Sequence, residues 1–240
     1  MTNDIRGVMA LLPDVPVFAG EDDSLAILLG TTWSPVAAEL SDLDQLVDIV
    51  EAPGWAMAQA LASGRRRLLL HNMDLDVSLA DSDYINEEWG VRVREAARQT
   101  GTLWFSLHLG FASERVRFLE HMLPESEPLG RDELFTRIVD SVNRAKSLLD
   151  LPLLLENLDY CPEGAYEDIC DPEFISAVLE ATDTGLLLDL GHLQVSASWF
   201  ETSPRAMLAR LPLERVVEVH VSGPRPLADG NSGRLDDVHE

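Results

Sequence analysis

Three short runs constrain this chain more than anything else in it: Leu68-Leu69-Leu70-His71, Leu153-Leu154-Leu155-Glu156 and Gly185-Leu186-Leu187-Leu188-Asp189. None shows the apolar–polar alternation of a half-exposed strand, so each must be covered on both faces, as strands of a parallel sheet are. Each also ends on an ionisable residue. Leu103–Leu107, followed by His108, and Arg215–Val221, containing Glu218 and His220, follow the same plan. In a barrel of parallel strands the C-terminal strand ends converge on one face, which would make neighbours of these distant side chains.

Helical patterns separate the runs. Ser34-Pro35 and Ser203-Pro204 place a capping hydroxyl before a proline at the first helical position, the second helix running through Arg210. Asp171-Pro172 opens a helix through Glu180, Ile85–Gln99 is amphipathic and stops at Thr100-Gly101, and Arg131–Leu149 carries apolar residues at helical spacing. Strands alternating with helices indicate βαβ units. With further strands expected over Leu25–Leu29 and Leu46–Val50, the pattern contains seven strand–helix units in 240 residues, close to the ~250 of an eight-unit barrel. The expected fold is an α/β TIM barrel forming a single domain over residues 1–240, with seven of eight units, since the sequence stops soon after the seventh strand. Pro124–Pro128 and Gly164–Asp171 read as loops, and His121 as an exposed bystander in a helix-like context.

Charge narrows the partners. Forty-two acidic residues against 18 basic ones leave a net charge of −24, which repels phosphate backbones and anionic lipid, so neither nucleic acid nor membrane is expected. Cys161 and Cys170 form neither a disulfide framework nor a zinc motif, and the N-terminus lacks a signal-peptide pattern; the expected location is the cytoplasm.

The chemistry must come from the strand ends. Ser106 and His108, and likewise Glu218 and His220, stand two apart, so each pair faces one side of its strand. Glu156 entering a barrel interior needs a metal, an arginine or a bound substrate to compensate its charge. Asp189 is followed by Gly191 and His192, where glycine would allow a sharp turn bringing carboxylate and imidazole to one ion. Asp237 and His239 form a further D-x-H near the C-terminus. Mixed imidazole and carboxylate donors without cysteine suit iron, manganese or zinc. The candidate ligands are too many for one ion, so two or three metals bridged by carboxylates are expected. The residues alone leave other readings open: a metal-dependent sugar isomerase, epimerase or phosphodiesterase, or a partner-dependent barrel without catalysis.

Taken in order, HNMDLDVSL, S-x-H-L, LLLEN, GLLLD-x-x-H-x-QVSA, RVVE-x-H-x-SG and D-x-H resemble the multinuclear non-heme iron-dependent oxidases, the family of the methanobactin-biosynthesis iron enzyme, which has a xylose-isomerase-like TIM barrel. VDIVEAPGWAM around Glu51 is similar to that family's second strand. The resemblance implies a cluster of two or three irons held by His71, His108, Glu156, Asp189, His192, Glu218, His220, Asp237 and His239, with zinc or manganese as the alternative. It implies O₂-dependent modification of a cysteine-containing, ribosomally made precursor peptide, with a small protein presenting that substrate. Glu51 and Asn157 are the expected substrate-binding residues. The chain departs from the family's pattern at Leu107, where an acid is usual, at His192 in place of asparagine, and at Pro224 in place of histidine, which places it in a divergent branch.

Overall fold

The computed structural model describes residues 27–40, 42–64, 67–75, 77–119, 121–162, 164–227 and 234–237. Seven strands form one sheet: β1 (Gly30–Thr32), β2 (Ile49–Pro53), β3 (Leu68–His71), β4 (Phe105–His108), β7 (Leu153–Glu156), β8 (Gly185–Asp189) and β9 (Val216–His220). They lie in sequence order and every neighbouring pair is parallel. The connections carry α1 (Pro35–Glu39), α2 (Leu43–Leu46), α3 (Met57–Ala62), α4 (Glu87–Thr100), α5 (Arg131–Leu148), α6 (Pro172–Thr182), α7 (Leu190–Trp199) and α8 (Pro204–Leu208). Two antiparallel ribbons complete the set: β5 (Val116–Phe118) with β6 (Met122–Pro124), and β10 (Arg225–Pro226) with β11 (Leu235–Asp236).

The sheet is strongly curled. Five strand spacings separate β2 from β9, about 24 Å in a flat sheet, yet His220 Nε2 lies 3.1 Å from Glu51 Oε2. Trp104, just before β4, likewise donates to Glu218 of β9 at 2.7 Å. This is the seven-unit, TIM-barrel arrangement expected from the strand pattern. Alternation divides each strand between two environments. Leu70, Phe105, Leu107, Leu153, Leu155, Leu186 and Leu188 join the main core under the helices, with Trp89, Ile138, Phe174 and Val178. Val50, Ala52 and Leu68 pack in a smaller cluster with Ala37 and Leu43. The intervening positions, including Glu51, His71, Ser106, His108, Glu156 and Asp189, face inward.

Local signals explain the helix ends. Ser34, Asn86, Asp171 and Ser203 each accept a backbone N–H of the helix they open. Gly101 closes α4 in the left-handed conformation, φ 65°. Asp183 closes α6 in the same way, so that helix runs to Thr182, past the expected Glu180.

Some expectations need correction. Of Leu25–Leu29, the first two residues lie outside the described ones; the rest precede β1, which begins only at Gly30. Leu46 ends a short helix, and the second strand lies three residues later than expected, at Ile49–Pro53. His121 belongs to the turn of the β5–β6 hairpin, not to a helix: the Leu119 N–H donates to its carbonyl. No described helix is long and apolar enough to cross a membrane.

Candidate metal centre

Glu156 is the hub. It ends β7 with its side chain 2% exposed, and its two oxygens face different histidines. Oε2 lies 3.2 Å from His71 Nε2 and 3.5 Å from His108 Nε2. Oε1 lies 3.5 Å from both His220 Nδ1 and His192 Nδ1. Asp189 Oδ2 adds a second carboxylate 3.8 Å from His220 Nδ1. Three sets bring their donor atoms within 4.8 Å of one another: His71/His108/Glu156, Glu156/Asp189/His220 and Glu51/Glu218/His220.

Two of the imidazoles, His71 and His192, are oriented from behind. Ser106, which shares the inward side of β4 with His108, lies 2.8 Å from His71 Nδ1. With that ring N–H donated to the Ser106 hydroxyl, the Nε2 lone pair points at Glu156 and at the Asn72 amide, 2.7 Å away. Asn72 has φ 45°, a left-handed conformation that asparagine tolerates, and its Oδ1 accepts the His108 backbone N–H. His192 Nδ1 lies 2.9 Å from the Asn157 carbonyl and donates to it, so its Nε2 is turned to Asp237 Oδ2 at 3.6 Å. The segment bearing Asp237 is held on α7 by Trp199, Ser198 and Arg234.

The acids are placed as deliberately. Asp189 caps α7 by accepting the His192 N–H. Gly191 makes no sharp turn; it lies in the first turn of that helix, where an added Cβ would stand 1.8 Å from Ser222 Oγ. A register shift between Leu186 and Leu187 sets Glu218 beside Leu187 and His220 beside Asp189.

Burial and charge then set protonation. Burial lowers His71 to about 3, a neutral imidazole. Burial raises Glu51 to about 7 and also raises Asp189. Burial opposes the charge on Glu156, but the surrounding histidines hold it well below the usual carboxylate range, and with His71 neutral that effect falls to the rings that carry charge, His220 and His192. His192 and His220 are buried against their charge yet pushed above the ordinary histidine value, chiefly by Asp237 and Glu156 respectively.

These residues fit a cation. Glu156 Oε2 is buried and accepts no hydrogen bond among the described residues. The lone pair of neutral His71 points at that anionic oxygen, an arrangement that an intervening positive charge relieves. Among the described residues no arginine or lysine pairs with Glu51, Glu156, Asp189 or Glu218, leaving the excess of buried carboxylate for a metal to compensate. Access is from the rim, where the side chains of His108 and His220 are 32% and 24% exposed. A small cleft lined by Asn72, Asp74, Tyr84 and Gly110 adjoins His108.

Of the expected site residues, His71, His108, Glu156, Asp189, His192, Glu218, His220 and Asp237 converge here, and His239 lies outside the described residues. Glu51 also lies here, against His220 rather than open to an incoming substrate. Asn157 is turned away from the opening: its amide donates to the Asp189 carbonyl and accepts the Asp189 N–H, tying β7 to β8. Asn72 and Trp104 escaped the sequence reading as site residues. A polar residue directly after a strand-end histidine was the available signal for the first; Trp104 left none. Neither Cys161 nor Cys170 forms a disulfide among the described residues, and burial pushes the Cys170 thiol well up, away from reactivity.

A curled parallel sheet with candidate metal donors gathered at its C-terminal rim defines a TIM barrel of the xylose-isomerase type. Solved structures agree on the fold: the 3-keto-D-glucoside 4-epimerase of E. coli superimposes with a TM-score of 0.56 at 14% identity, over 82% of this chain and 80% of that one. The chain belongs to the family described as RiPP precursor modification enzyme MbnB/TglH/ChrH, whose model matches residues 44–240. Among its relatives, an UPF0276 protein of Anaeromyxobacter sp. is 28% identical over 72% of this chain and 60% of its own length. Another, of Paraburkholderia phytofirmans, is 33% identical over 62% of this chain and 45% of its own. The chain thus spans about half the length of these curated relatives.

Proposed function

We propose that this chain carries the multinuclear iron centre of an O₂-dependent enzyme that oxidatively modifies a cysteine-containing, ribosomally made precursor peptide. The observation that carries the reading is the division of Glu156, one oxygen toward His71 and His108 and the other toward His220 and His192. A carboxylate so placed can join two adjacent cations and offset their repulsion. One ion would be held by His71, His108 and Glu156, a second by Glu156, Asp189 and His220, with His192, Asp237 and His239 available to a third. When bound, iron supplies the redox chemistry through which dioxygen oxidises a thiol-bearing substrate.

The protein's own part is positional. Ser106 and Asn72 hold the His71 ring with its lone pair inward, and Asn157 clamps the end of β8 so that Asp189 stays beside His220. Leucines beneath the donors keep water from the floor, while the exposed edges of His108 and His220 leave the rim open to a peptide. The acidic exterior suits a basic leader segment or a basic presenting protein.

Elemental analysis and Mössbauer spectra of anaerobically prepared protein test the centre, together with turnover of a cysteine-containing precursor with and without O₂. Two or more irons per chain and strict O₂ dependence are expected. Stoichiometric zinc or manganese without iron, or turnover persisting anaerobically, would overturn the proposal.

A further inference from the structure

His220, like His192, is flanked by carboxylates on both nitrogens, and it alone among the described histidines is shared by two of the three candidate donor sets. Nδ1 faces Glu156 and Asp189 at 3.5 and 3.8 Å, while Nε2 faces Glu51 at 3.1 Å and Glu218 at 3.6 Å. A neutral imidazole has one lone pair and one N–H. It therefore cannot serve both donor groups at once, and the two sets sharing His220 exclude each other as simultaneous metal sites.

We infer that Glu51 and Glu218 are positioning residues for His220 rather than metal ligands: they fix its Nε2–H, turning the Nδ1 lone pair toward Glu156 and Asp189. Three observations separate the two sides of the ring. The Glu51 contact, at 3.1 Å, is itself a hydrogen bond. Glu218 is already engaged, its Oε2 accepting the Trp104 indole N–H at 2.7 Å. Both acids also lie deeper in the barrel than the histidines they accompany. Glu51 pairs with Leu69, one inward-facing position before His71 on β3, and Glu218 stands one inward-facing position before His220 on β9. Trp104, which precedes β4, marks the floor toward which Glu218 points. A carboxylate behind a ligating histidine fixes ring orientation and raises ligand basicity, and its loss commonly weakens metal binding ~10–100-fold.

The inference rests on the metal-centre reading, and one titration tests both. Fe(II) is titrated anaerobically, against a competing chelator, into the wild-type chain and the Glu51→Gln, Glu218→Gln, Trp104→Phe and His220→Ala variants. Ion number and dissociation constant are read separately, with circular dichroism as a check on folding. Glu51→Gln and Glu218→Gln are expected to keep the wild-type ion number with one ion bound roughly 10–100-fold less tightly. Trp104→Phe reaches the same cluster without altering an acid and should weaken that ion by a smaller factor. His220→Ala should lose the ion. If either acid variant loses an ion as His220→Ala does, Glu51 and Glu218 are ligands and the inference fails while the metal centre stands. Affinities within twofold of wild type would also overturn it. A wild-type chain that binds no Fe(II) overturns both readings.

Discussion

Asn157 offers the sharpest test of how this rim is built. Its side chain makes two buried hydrogen bonds to one residue, donating to the Asp189 carbonyl at 3.0 Å and accepting the Asp189 N–H at 2.9 Å. Asn157→Ala removes both partners and leaves two buried backbone groups unsatisfied, at about 1–3 kcal/mol each. The expected loss is therefore roughly 2–6 kcal/mol, and at about 2–4 °C per kcal/mol for a chain of this size the melting temperature should fall by about 4–24 °C. Asn157→Asp keeps an acceptor for the Asp189 N–H but sets a carboxylate oxygen against its carbonyl, so it should rescue little. Differential scanning calorimetry of the metal-free protein, alone and with a peptide substrate, reads this without relying on turnover. A variant that melts within 1–2 °C of wild type but binds the peptide more weakly would show that Asn157 contacts substrate after all, and would refute the clamp.

Other perturbations reach neighbouring parts of the structure. At Gly54 an added Cβ would stand 2.7 Å from the Met73 Cα and carbonyl oxygen, backbone atoms that cannot rotate away, so Gly54→Ala should cost about 1–3 kcal/mol in a thermal melt; an unchanged melt would mean the β2–β3 junction yields freely. His71, lowered to about 3, takes up no proton in the folded state while the unfolded chain does so near 6.5. Its contribution to metal-free stability should therefore fall as pH drops through this window, by up to about 1.4 kcal/mol per pH unit, and urea titrations of wild type and His71→Asn between pH 6.5 and 5 should differ in slope by that contribution. Equal slopes in the two proteins would contradict a neutral buried ring. Fe(II) at about 100 times its dissociation constant should stabilise the wild-type chain by about 2.7 kcal/mol, read anaerobically as a rise in melting temperature. The isosteric Glu156→Gln should abolish most of that rise, and the same rise in both would remove Glu156 from its central place.

Much of the rim was legible from strand ends alone. A run such as Leu153–Glu156 is apolar until its last inward position, and burying a carboxylate there makes sense only where something compensates it. The E-x-H spacing in β9 likewise announced two side chains on one face. Glu51 and Asn157 were noticed but misplaced, because polarity at a strand end says nothing about which neighbour the side chain meets. Asn157 turned to the backbone of Asp189, and Glu51 met a histidine 169 positions away in sequence. Gly191 read as a turn because glycine permits one; its observed place is a close approach, with Ser222 occupying the space a Cβ would need.

By itself the sequence determined the parallel sheet and the chemical character of its rim, because two-face burial and a side-chain period of two are properties of each strand taken alone. Tertiary structure alone decided which oxygen of Glu156 faces which histidine, and which nitrogen of His220 is backed by Glu51. Those pairings depend on the curl that carries β9 round to β2 and on the register shift at Leu186 and Leu187. Both arise from how strands pack against one another, and no single segment encodes them.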